Sequence, residues 1–86
     1  MLVIRGQSRA TPWLGVDPKS GSLAFIPLVQ CLHERGSMRL KTFDSVEKAG
    51  LFIDVNPTIC IGRLEICETH SSRDGMRVTV VKALSR

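Results

Sequence analysis

The sequence predicts a small α+β domain: an antiparallel sheet of about five strands with one short helix, near residues 45–54, packed on it. Three observations predict this. Short stretches alternate apolar and polar residues with period two, and glycine- and proline-containing turns separate them. One stretch alone, Leu40 to Asp54, combines a cap, a helical period and a stop. The chain has 86 residues, 43 % of them hydrophobic, so residues 1–86 form a single small domain and not a disordered tail.

Leu2 to Arg5 reads as a first strand and Gly6 to Pro12 as a polar loop. Trp13 to Val16 forms a second short strand. Asp17-Pro18-Lys19-Ser20-Gly21 is turn chemistry, because Pro fixes φ early and Gly admits a positive φ later. Ser22 to His33 is apolar on both faces, the pattern of a central strand. Pro27 opposes that reading, since it cannot donate to a ladder and belongs at a bulge or an edge. A rival reading starts a helix at Pro27 and ends it at Gly36, so residues 28–35 stay open between strand and helix.

Glu34 to Ser37 is a hairpin turn. Met38 to Phe43 alternates, with Met38, Leu40 and Thr42 on one side and Arg39, Lys41 and Phe43 on the other. Asp44 is placed to cap a helix, and Glu47 three residues later completes a capping-box spacing. Val46, Ala49, Gly50 and Ile53 share one face, Phe52 widens it, and Asn56-Pro57 ends the helix. Gly50 lowers helix propensity by about 1 kcal/mol relative to Ala, which suggests close packing on the sheet. Thr58 to Glu68 is the next strand, with a bulge expected at Gly62 where its alternation slips. Thr69 to Gly75 reads as a polar loop. Met76 to Leu84 is the last strand, Met76, Val78 and Val80 facing inward, and it should pair antiparallel with its predecessor.

Lys and Arg outnumber Asp and Glu by twelve to eight, a net charge of +4. That balance favours an acidic partner. No apolar run reaches the roughly 20 residues of a membrane span. The opening Met1-Leu2-Val3-Ile4-Arg5 is too short and too soon charged for a signal peptide, so a cytoplasmic location is expected. There is no phosphate-cradling glycine loop, no paired carboxylates at useful spacing and no histidine beside a nucleophile. An enzyme is not expected, nor a cofactor. Cys31, Cys60 and Cys67 read as reduced thiols packed as small hydrophobes. Cys31-x-His33 and Cys67-x-x-His70 do hold the ligand types of a structural zinc site, at spacings unlike a standard finger; no metal is assigned.

The candidate site is basic: Lys19, Arg35, Arg39 and Lys41, spread over two turns and one strand face. Such a face can contact phosphates and offer Arg to guanine edges in the major groove. Arg63, Arg73, Arg77 and Lys82 make a second basic group on the final hairpin. Trp13 is a core or edge aromatic, and a stacking platform only if its ring is exposed.

The stretch from Gly15 to Asp54 resembles the ethylene-response-factor (Apetala-like) DNA-binding domain. The resemblance rests on RLKTFDSVEKAG, where Thr42-Phe43-Asp44 matches the end of the family's third strand and Glu47, Ala49 and Asp54 match its helix pattern. Gly15-Val16 and Gly21 to Ile26 match its first hairpin more weakly. Leu14, Asp17, Leu23, Pro27 and Leu28 depart from its base-reading and tryptophan positions. The resemblance implies three antiparallel strands followed by one packed helix, and DNA reading in which Arg39 and Lys41 are the surviving candidates. More distantly, Met1 to Arg5, TICIGRLEI and RVTVV are similar to pieces of the carbon-storage-regulator family of RNA-binding proteins.

Two functions follow as expectations. The first is a nucleic-acid-binding module, DNA before RNA. The second is a protein-interaction module, such as a small phage-type inhibitor or accessory subunit, or a homodimer. Leu51, Phe25, Ile26 and Leu28 motivate the second, because so small a domain cannot easily bury all of them.

Overall fold

The computed structural model describes residues 1–27 and 38–86. Among the described residues, six strands and one helix follow each other as β1 (Leu2–Arg5), β2 (Trp13–Val16), β3 (Leu23–Ile26), β4 (Arg39–Leu40), α1 (Val46–Val55), β5 (Arg63–Ser72) and β6 (Gly75–Ser85). All pairings are antiparallel. The sheet order is β3-β2-β1-β5-β6, with β4 also pairing with β2. The expected α+β fold, an antiparallel sheet with a short helix at Val46–Val55, is therefore present.

Two strands share one side of β2. Its start pairs with β1 through Arg5 and Trp13. Its end pairs with β4, Gly15 with Leu40 and Val16 with Arg39. The chain then continues along this fork: the Lys41 amide donates to the Leu14 carbonyl at 3.0 Å, and the Phe43 amide to the Leu2 carbonyl at 2.9 Å. Residues 39–43 thus satisfy backbone groups of both β1 and β2 where those strands part.

The helix packs on one sheet face. Ile4, Leu14, Leu64 and Ile66 of the sheet meet Ala49 and Ile53 of α1, and Cys60 joins them. Period two in β1, β2 and β5 delivers the first four to this face, and period 3.6 in α1 delivers the other two. The opposite face carries a smaller cluster of Val3, Trp13 and Cys67, with Leu40, Met76 and Val78 against it. Both faces of β1 are apolar because Ile4 faces the helix-side cluster and Val3 the smaller cluster opposite.

Several boundaries differ from expectation. The strand expected at Thr58 to Glu68 begins at Arg63, and the loop expected at Thr69 to Gly75 is mostly ladder: β5 and β6 pair from Arg63–Ser85 to Ser72–Gly75. Main-chain pairing needs no apolar side chain, so the polar run Thr69 to Ser72 extends the hairpin. Gly62 stands before the strand with φ +77°, and the register shift falls opposite Ile66 and Cys67 instead. The helix is capped by Ser45, whose hydroxyl accepts from the Lys48 amide at 3.1 Å. The Asp44 carboxylate instead takes the Lys48 ammonium, at 3.1 Å. A Cβ at Gly50 would meet nothing within 4 Å, so that glycine is not a close-packing device. The expected strand Met38 to Phe43 reduces to β4, with one further bridge between Leu2 and Phe43. The strand at Ser22 to His33 was expected to be central; β3 ends the sheet order at Ile26, directly before Pro27. The choice between strand and helix for residues 28–35 lies outside the described residues.

Candidate nucleic-acid interface

Lys19 sits in the tight turn between β2 and β3. That turn is closed by the Gly21 amide donating to the Asp17 carbonyl at 2.7 Å and by the Asp17 amide donating to Ser22 at 2.8 Å. The Asp17 carboxylate is occupied locally, accepting from the Lys19 amide at 2.9 Å. Gly21 takes φ +75°, as the turn chemistry requires. Lys19 is left exposed at the tip.

Arg39 lies opposite Val16 in the β2–β4 ladder, at the end of β2 from which that turn departs. Residues directly opposite share a face. Leu14, two residues before Val16, belongs to the cluster under the helix, so Arg39 stands on the helix-bearing side of the sheet, exposed at its rim. Lys41 follows on the same side. Its ammonium lies 5.3 Å from the Phe43 ring centre and 5.6 Å from that of Phe52. Those rings meet edge to face at 5.2 Å, and their π faces hold the cation at the rim. Arg39 and Lys41 thus lie along β4 and its continuation, and Lys19 lies on the turn that leaves the same end of β2. Arg35 lies outside the described residues.

Several acidic side chains are engaged within the chain, and this leaves cations uncompensated both here and on the final hairpin. Glu65 accepts from Arg5 Nε at 2.8 Å, which holds the Arg5 guanidinium above its usual pKa. Asp54 pairs with Arg86. Glu68 pairs with the N-terminal ammonium, whose hydrogen bond draws the Glu68 carboxyl below its ordinary range. Among the described residues, Lys19 and Arg39 take part in no ion pair, nor do Arg63, Arg73, Arg77 and Lys82 of the final hairpin. Arg73 and Arg77 lie at the turn end of that hairpin and Arg63 at its far end.

Trp13 is buried, 6 % exposed, with the Arg5 guanidinium 5.7 Å from its ring centre. It is a core aromatic and offers no stacking platform. Cys67 is buried while His70 is exposed. Among the described residues no group of three or more His, Cys, Asp or Glu side chains is placed to hold a metal ion. Cys31 and His33 fall outside those residues. Cys60 and Cys67 are free and buried, and burial pushes both thiols up.

One surface feature departs from expectation. Val80 was expected to face inward but is 43 % exposed, and Val81 beside it is 48 % exposed. Leu51 is exposed, as expected of the apolar surplus, and with the exposed Val55 of α1 it lines an open groove beside Lys41, Phe43 and Phe52. Ile26, expected among the exposed apolar surplus, is buried; Phe25 is half-buried and Leu28 lies outside the described residues. No helix among the described residues is long and apolar enough to cross a membrane. Comparison with protein-family models, curated proteins and solved structures finds no match.

Proposed function

We propose that the chain is a non-enzymatic nucleic-acid-binding module, DNA before RNA, that holds the phosphate backbone with Lys19, Arg39 and Lys41. One observation carries this reading: Lys19 and Arg39 are exposed at one end of β2 without an ion pair among the described residues, while Asp44, Asp54, Glu65 and Glu68 are each engaged within the chain. Charge left uncompensated in this way is available to a polyanion. Arg39 and Lys41 lie at a rim and not on the open face, so they suit phosphate contact more than base reading.

The test is fluorescence anisotropy with a labelled mixed-sequence DNA duplex, and with single-stranded RNA, at low salt. Arg39→Ala is expected to weaken duplex binding severalfold, and Arg63→Ala, at the far end of the final hairpin, to leave it unchanged. Equal binding by Arg39→Ala and the parent overturns the site. Absence of binding to either nucleic acid overturns the reading. The groove of Phe43, Leu51, Phe52 and Val55 then supports the second reading, a protein partner seated on the exposed apolar flank of α1.

A further inference from the structure

The longest strand of the sheet is also an edge. β6 runs for 11 residues and pairs only with β5 among the described strands. Its sequence, GMRVTVVKALS, contains no proline. Natural edges of this length are normally blunted, because a row of free amides and carbonyls is a template for another strand. The other edge, β3, spans four residues and is followed directly by Pro27.

Met76, Val78 and Val80 stand opposite Ser71, Thr69 and Cys67, so they share the face that carries the smaller apolar cluster. Past the register shift the sense inverts: Leu84 stands opposite Leu64 and packs on the helix-side core. A pairing that crossed the shift would set apolar residues against the wrong face. A partner strand is therefore confined to the portion from Gly75 to Val80.

We infer that β6 pairs antiparallel with β6 of a second copy of this chain, about a two-fold axis at Val78. This register sets Val78 on Val78 and Met76 on Val80 of the second copy, joining the half-exposed valines into one apolar band. It places Arg77 opposite Thr79 of the second copy. The neighbouring axis at Arg77 would stack arginine on arginine, which is unfavourable. An axis at Thr79 would bring Met76 against Lys82 across the register shift. Charge and apolar pattern therefore select Val78. This inference is independent of nucleic-acid binding.

The test is molar mass by light scattering and sedimentation over a concentration series, on the parent and on Val80→Lys. The parent is expected to be dimeric at high concentration. Val80→Lys changes an already exposed side chain, so it is expected to fold and to be monomeric. A second variant reads the register without weakening the contact. Val78→Cys is expected to form a covalent dimer under mild oxidation, beyond any formed by the parent. Met76→Cys is not, since its two copies would stand about 14 Å apart along the strands. A parent that is monomeric throughout overturns the inference. So does a dimer that survives Val80→Lys and is not cross-linked through position 78.

Discussion

A side chain at Gly15 would collide with Ile26: a Cβ built there stands 2.5 Å from Ile26 Cδ1 and 3.1 Å from the Arg39 carbonyl oxygen. Gly15 sits in the middle of β2, between β3 on one side and β4 on the other. Its lack of a side chain lets the buried Ile26 lie across the strand and lets β4 approach. Gly15→Ala is expected to lower stability by about 1–3 kcal/mol, the usual cost of overpacking. Urea denaturation followed by circular dichroism measures it; an unchanged midpoint would contradict the close approach.

The helix cap makes a paired prediction. Ser45→Ala removes the hydroxyl that accepts from the Lys48 amide and is expected to lower stability by about 1 kcal/mol. Asp44→Ala removes only an exposed i,i+4 ion pair with Lys48, expected at roughly 0.3–0.5 kcal/mol. Thermal melts of the two variants side by side decide which residue caps the helix. A larger loss from Asp44→Ala would reverse the assignment.

The buried thiols predict both reactivity and a pH response. Cys60 and Cys67 should react with a thiol reagent only as fast as the chain opens, and promptly in denaturant. Burial raises both pKa values above the ordinary 9.0. The folded state therefore prefers the protonated thiols: that contribution is intact below about 9 and is lost as pH rises through the elevated folded values. Denaturation midpoints should fall from pH 9 upward, and less so in Cys67→Ala measured against its own neutral-pH value. Rapid labelling of both thiols in the native state would contradict their burial.

Much of this fold was legible in the chain. The short apolar runs Leu2 to Arg5 and Trp13 to Val16, set off by the polar loop and the turn that follow them, located β1 and β2 within their observed bounds, and Asn56-Pro57 ended α1 where the helix does end. The illegible parts have physical causes. Ile59 and Cys60 resemble strand residues because they pack on the core, yet they do so from a turn before Gly62. Thr69 to Ser72 resemble a loop because they are polar, yet main-chain pairing with β6 holds them in the ladder. The alternation of Arg39 and Lys41 was visible, but which face it addressed depended on β4 pairing with β2, a long-range contact that no local pattern encodes. The exposure of Val80 followed from β6 lying at the sheet edge, which is likewise a property of strand order.

The most direct test of the nucleic-acid reading is the salt dependence of duplex binding. Log affinity is expected to fall linearly with log salt, with a slope of about −2 to −3 for contacts from Lys19, Arg39 and Lys41, and Arg39→Ala is expected to make the slope shallower by about one. An affinity that does not change with salt, or no binding of duplex at low salt, would contradict the reading.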